Sequence, residues 1–285
     1  MNNVIKQIAG VSSALGLCLS ASGALAQTVS DNVISEQRKN LARETRGEGY
    51  GPQSPRDIEQ YYGLNQRVFA KAPVRSQMNL CNIHFHKGAE HKGGQFTTYA
   101  GNGNGAGLGT GYLYNGELSS QQQAPLPAKV CAAKGEGLQS GDTIEVHYVF
   151  STAAVEPGAT LGACLADETM NPQLRVEAQV MVLANDENAP DFERLAQVSE
   201  VNGYYQAPNI PSDTGVPVEY SGSTTGPSYN EKGSPLQVSW SVRPGVTLVN
   251  AASVGEWCED NEFEEDHAHG VRNLVVNPEL LSTIY

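Results

Sequence analysis

The sequence predicts a mainly β domain with few short helices, and three observations carry that expectation. Residues 81–86 and 143–150 alternate side-chain character in the way a strand with one packed and one functional face does. Clusters of Gly, Pro, Asn and Ser punctuate the chain between such runs. Helical periodicity is scarce beyond about residue 53. A length of 285 residues suits one large domain, and the formal charge of −13 leaves no basic stripe to neutralise phosphates, which argues against nucleic acid.

Residues 1–26 read as an export signal. Lys6 supplies a positive charge, residues 8–24 are mostly apolar and small, and Ala24-Leu25-Ala26 offers a cleavage site before Gln27. The expected location is therefore periplasmic or secreted, with no membrane association after cleavage. Residues 27–52 form a polar, charged arm, either a short helix or an ordered segment. Residues 53–285 are the domain proper, opened by Gln53-Ser54-Pro55-Arg56-Asp57-Ile58. Setting aside Cys18 in the signal, Cys81, Cys131, Cys164 and Cys258 remain. An even number in an exported chain suggests two disulfides, with three pairings open.

The run Cys81-Asn82-Ile83-His84-Phe85-His86 places His84 and His86 on one strand face about 7 Å apart, a span one metal ion bridges. Asn82 shares that face, while Cys81, Ile83 and Phe85 point away, so Cys81 is not expected to be a ligand. In the second run Thr143, Glu145, His147 and Val149 lie together. If the two strands share a sheet, three neutral imidazoles converge and leave a coordination position open, as in catalytic zinc sites.

Further along, the Gly/Asn-rich residues 101–111 lack the Gly-Lys-Ser/Thr and following helix of a phosphate loop and read as a surface loop. Residues 119–128 read as another loop, 176–183 as a buried strand, and 185–190 as a turn. Residues 206–235 form a long coil-like segment, followed by a strand over 236–242 containing Trp240. The acidic residues 256–269 carry His267-Ala268-His269 and are expected to be a solvated end of the chain.

In order, His84-Phe85-His86, Glu90-His91, Glu145-Val146-His147, Gly222-Ser223-Thr224-Thr225-Gly226-Pro227 and a Trp-bearing strand resemble the active-site pattern of alpha-class carbonic anhydrases. The run from Cys81 to Lys92 and the terminal Asp-His-Ala-His-Gly-Val-Arg-Asn-Leu resemble the delta class and its bacterial relatives more closely. The resemblance spans residue 53 to the C-terminus. It implies a large, twisted, mostly antiparallel central sheet. The implied chemistry is reversible hydration of carbon dioxide to bicarbonate and a proton by a zinc hydroxide held on His84, His86 and His147, with Co2+ or Cd2+ as substitutes for Zn2+.

The resemblance also implies that Asn82 orients His84, that Glu145 orients His147, and that Glu90 accepts a hydrogen bond from the Thr224 hydroxyl. His91 braces the site, with Tyr220 as its partner, and Val149, Thr225 and Trp240 line the substrate pocket. The alpha class has one more residue between Ser223 and Thr224, so Thr224 and Thr225 compete for the gatekeeper position. No histidine precedes Asn82 after the signal, so the group that returns protons to water has no assigned place.

Two other readings compete. His84-x-His86-x-x-x-Glu90 fits a cupin metal motif, in which Glu90 binds the metal, although Met78 stands where that motif expects glycine. A non-catalytic exported zinc-binding protein on the same fold is the other.

Overall fold

The computed structural model describes residues 28–225 and 229–285, so the expected signal, residues 1–26, lies outside the described residues. Helix α1 (Asp31–Thr45) precedes β1 (Asn79–Lys87), β2 (Thr98–Tyr99), β3 (Tyr112–Leu113), β4 (Thr143–Ser151) and β5 (Leu174–Ala184). Helix α2 (Phe192–Leu195), β6 (Ser199–Val201), β7 (Tyr204–Gln206), β8 (Val218–Ser223), β9 (Gln237–Asn250) and α3 (Ala251–Glu259) follow. The mainly β expectation holds.

Five strands form the central sheet in the order β1-β4-β5-β9-β8. Its pairings are antiparallel except for the parallel β5–β9 ladder. The interior strands β4 and β5 are buried along their whole length, polar residues such as Glu145, His147 and Gln179 included. Strand β8 falls inside the segment 206–235 that the sequence presents as coil. Glu219, Ser221, Gly222 and Ser223 give it little β signal, and pairing with β9 supplies what propensity does not. Strand β9 runs to Asn250, well past the expected end at 242, through a register shift in its ladder with β5.

The two sheet faces bury different cores. On one, Ile83, Phe85, Val146, Tyr148, Phe150 and Met181 pack against Phe192 from α2 and Val254 and Trp257 from α3. On the other, Val149, Val176, Ala178, Val180, Trp240 and Val242 form a smaller cluster, and the histidines project on this side. The apolar half of each strand thus fixes which face its polar half can use.

Disulfides join Cys81 to Cys164 and Cys131 to Cys258, with sequence separations of 83 and 127. The register shift in β1 falls at Cys81 and resets its parity, so contrary to expectation Cys81 packs on the histidine side with Val149 and Val176, where the disulfide to Cys164 takes up its sulfur. The Cys131–Cys258 bond pins the segment before β4 to α3. Replacing both cysteines by serine is expected to cost about 2–5 kcal/mol, from the larger conformational freedom of the unfolded chain. Thermal unfolding should register this as a drop of ~2–4 °C per kcal/mol, and an unchanged midpoint would show that the bond restrains nothing.

Helix α1 gives residues 28–52 an ordered place. Its Ile34, Leu41 and Thr45 are buried, and Leu41 packs with Val275, Leu280 and Leu281. Gln37 donates to Gly105 O at 2.7 Å and accepts from Asn273 Nδ2 at 2.6 Å. The glycine-rich residues 101–111 are therefore only partly a surface loop. Asn102, Gly107, Thr110 and Gly111 are buried between α1 and the C-terminal segment.

That segment is the clearest departure from the sequence expectation. Residues 267–269 are not a solvated end: His269 N–H donates to Phe85 O at 2.8 Å, and His269 O accepts from Lys87 N at 3.0 Å. As an edge strand β1 presents unpaired backbone groups, and the terminal segment satisfies them. Glu265 is buried and accepts from His269 Nε2 at 2.8 Å, while Glu256, Glu259, Asp260, Glu262 and Glu264 stay exposed. Among the described residues no helix is long and apolar enough to cross a membrane.

Candidate metal centre

Antiparallel pairing of β1 with β4 sets His84 opposite His147 and His86 opposite Glu145. Candidate ligand nitrogens of His84, His86 and His147 consequently lie within 4.8 Å of one another. Each ring has its other nitrogen committed. His84 Nδ1–H donates to Asn82 Oδ1 at 2.6 Å, His86 Nδ1–H to Gly270 O at 2.9 Å, and His147 Nε2–H to Glu145 Oε1 at 2.8 Å. These bonds select the tautomer, leaving Nε2, Nε2 and Nδ1 as lone pairs directed inward.

The closest inward pair, His147 Nδ1 and His84 Nε2, is 3.2 Å apart. Two imidazole nitrogens on one tetrahedral zinc at about 2.0–2.1 Å stand about 3.3 Å apart, so the spacing fits that ion. Burial holds the His84 imidazole well below its usual range and His86 below it too, with neighbouring histidines adding to the effect. Both are thereby kept neutral, the form a metal requires.

Glu145 is fully buried and receives three donors. His147 Nε2–H and His91 Nδ1–H, at 2.6 Å, share Oε1, and the His91 backbone N–H reaches Oε2 at 3.0 Å. Burial alone would push this carboxyl up, but His91 and His147 outweigh it and hold it well below the carboxylate range. With Nδ1–H so used, His91 Nε2 accepts from the Tyr220 hydroxyl at 2.6 Å, and Ser54 Oγ lies 2.5 Å behind that hydroxyl. The grouping of His91, Glu145 and His147 within metal-holding distance is accounted for by these hydrogen bonds.

A cavity of about 30 Å³ adjoins the cluster, room for one or two water-sized molecules. Val149, Trp240, Thr224, Thr225, Val176 and Leu161 are among the residues that line it. Thr224 is buried whereas Thr225 is exposed, which favours Thr224 as the inner group. Trp240 stands edge-on to His147 at 5.0 Å and donates Nε1–H to Ser223 O at 3.3 Å. A side chain on Gly222 would meet the Trp240 ring at 2.6 Å, so a glycine is needed there.

One expected contact is not formed. Glu90 does not take the Thr224 hydroxyl; its Oε1 accepts the backbone N–H of Arg272 at 2.8 Å, and Thr224 Oγ1 is buried with no partner among the described residues. An unpaired buried hydroxyl beside inward-facing imidazole nitrogens is what a cavity built around a further polar group presents. Glu90 is also misplaced for a cupin. Its Oε1 is 3.8 Å from His86 Nδ1, the nitrogen turned away from the cluster.

Gly270, Arg272, Leu161 and Val176 were not singled out from the sequence. Val176 was findable, since it shares parity with Ala178 and Val180 in an apolar run. Gly270 acts through its backbone and left no side-chain signal. His269 also reaches the site, its ring 5.6 Å from that of His84, and a hydrogen bond to Glu265 raises its pKa.

A family model described as delta carbonic anhydrase matches residues 75–253. No curated protein is significantly similar to the chain. Among solved structures, an alpha-carbonic anhydrase from Thermovibrio ammonificans, in complex with the inhibitor sulfanilamide, is 14% identical over 83% of this chain and 87% of its own, with a TM-score of 0.30. Photobacterium profundum alpha-carbonic anhydrase is 15% identical over 86% and 95%, with a TM-score of 0.27. Superpositions this loose add nothing to the family match.

Proposed function

Because the chain belongs to the delta carbonic anhydrase family, we propose that it hydrates carbon dioxide reversibly to bicarbonate and a proton at a zinc ion held by His84, His86 and His147. The observation that supports this best is the approach of two ring nitrogens to 3.2 Å, with the other nitrogen of each ring bonded outward. Lone pairs that close repel unless a cation lies between them. Bound there, zinc supplies a Lewis acid that brings a water's pKa to about 7, so that a base exists at neutral pH.

The chain's own residues then have distinct tasks. Asn82, the Gly270 carbonyl and Glu145 hold the three rings in the coordinating tautomer. Val149, Val176, Leu161 and Trp240 offer carbon dioxide an apolar wall and exclude bulk water. Thr224 orients the nucleophile through its buried hydroxyl, and Glu90 acts on that loop through the Arg272 backbone N–H that its Oε1 accepts. Three neutral ligands also keep the full dipositive charge on the ion, where a carboxylate would dilute it. Cobalt or cadmium suits the same donor set. Two disulfides agree with export to an oxidising compartment, the location proposed for the mature protein.

Glu90→Ala separates this reading from any in which Glu90 is a ligand. One zinc per chain should remain, measured by elemental analysis, while stopped-flow hydration falls about 10²-fold, the usual scale for losing a group that organises a transition state. Loss of the metal from this variant would make Glu90 a ligand. Zinc-loaded wild type no faster than buffer would instead favour a non-catalytic zinc protein.

A further inference from the structure

We infer that the Arg272 side chain is a positioning residue that fixes Thr224 against Glu90. The inference rests on the hydratase reading, which gives those two residues their task. One residue touches both. Its backbone N–H donates to Glu90 Oε1 at 2.8 Å, and its guanidinium donates from Nη1 to Thr224 O at 3.4 Å and from Nη2 to Lys232 O at 3.0 Å. The opposite side of Thr224 is secured by its own N–H, which donates to Leu236 O at 3.1 Å. Thr224 is thus clamped at both backbone groups while its hydroxyl has no partner among the described residues.

The energetics make a merely space-filling role a poor explanation. Arg272 is 1% exposed, and among the described residues no carboxylate forms an ion pair with it. Nε is buried and unpaired as well. Burying a cation so incompletely compensated is costly, and an apolar side chain of similar volume would pack at less expense. What only the guanidinium provides is a rigid planar fork that reaches two carbonyls at once. The backbone carrying it is itself held, by Val271 N–H to Gly107 O at 2.8 Å and Asn273 N–H to Asn230 Oδ1 at 2.8 Å. Groups aimed at reacting atoms need that kind of support, since a misplacement near 1 Å costs about 10²-fold in rate.

The test uses full-length mature protein with zinc, comparing wild type, Arg272→Met, Arg272→Lys, Thr224→Ala and Thr224→Ala combined with each Arg272 change. Arg272→Met should keep one zinc per chain, because the three imidazoles and the Gly270 carbonyl are untouched, and should lose about 10–100-fold in kcat and kcat/KM together. Arg272→Lys should recover only part of that loss, having charge without the fork. In the Thr224→Ala background either Arg272 change should add less than twofold, since residues that act through one another are not additive. Crystal structures of both Arg272 variants should show Thr224 displaced from its wild-type position relative to Glu90.

Full additivity with Thr224→Ala, or Thr224 unmoved in the Arg272 variants, overturns the inference. Should Arg272→Met fail to fold, the lysine variant carries both readouts. A wild type without hydration activity removes the hydratase reading alone, and the position of Thr224 in the variants still decides the role of Arg272.

Discussion

His147→Ala should leave a folded protein that binds no stoichiometric zinc and hydrates carbon dioxide no faster than buffer. The loss approaches the whole catalytic enhancement, ~10⁶-fold or more on the usual scale of enzymes. His147 supplies the inward Nδ1 that faces His84 Nε2 at 3.2 Å, and His84 and His86 alone are two neighbours on one strand. A tetrahedral centre with a single open position needs the third nitrogen. Folding should survive because Glu145 keeps both donors from His91 when His147 is removed, so no buried charge is stranded. Elemental analysis and stopped-flow hydration, with circular dichroism for the fold, check the outcome. Retained zinc would mean that His147 lies outside the ligand set.

Glu145→Ala should damage metal affinity and stability together. The carboxylate is the common acceptor for His147 Nε2–H, His91 Nδ1–H and the His91 backbone N–H, all in the interior. Its removal strands three buried donors and frees the His147 ring to rotate. We expect zinc affinity to fall about 10–100-fold, as for other groups that orient a coordinating histidine. Unfolding free energy should fall by about 3–5 kcal/mol, since each unsatisfied buried donor costs about 1–3 kcal/mol. Glu145→Gln should rescue little, because the amide nitrogen would face an N–H donor where the carboxylate has an acceptor oxygen. Competitive chelator titration and denaturant unfolding measure the two effects separately, and a Gln variant equal to wild type in both would remove the special role of the charge.

The residues that could be read in advance share one property: their function follows from strand parity. Asn82, His84 and His86 fall on one face of β1, and Glu145, His147 and Val149 on one face of β4, so two alternating runs and one pairing generate the centre. The pairing of His91 with Tyr220 was implied by the family resemblance and not by parity. The disulfide pairing was not, because it depends on where the 161–164 turn and α3 pack and not on spacing along the chain. Strand β8 and the terminal segment were missed for a related reason. Ser221, Gly222 and Ser223 pair because β9 offers an edge, and residues 267–269 pair because β1 does, while their own composition reads as coil and as a solvated acidic end. Gly270 and Arg272 reach the site on that same segment, one through a carbonyl and the other through a backbone N–H as well as its side chain. Functions of this kind leave no periodicity to detect.

The central claim is that three imidazoles from β1 and β4 enclose one zinc and leave a position for solvent. X-ray absorption at the zinc edge, on mature protein shown by elemental analysis to hold one zinc per chain, tests it most directly. Three nitrogen neighbours with imidazole outer-shell scattering at about 2.0–2.1 Å and one further light atom are the expected result. A protein that retains no zinc, or a zinc shell containing fewer than three imidazoles or a Glu90 carboxylate, would contradict it.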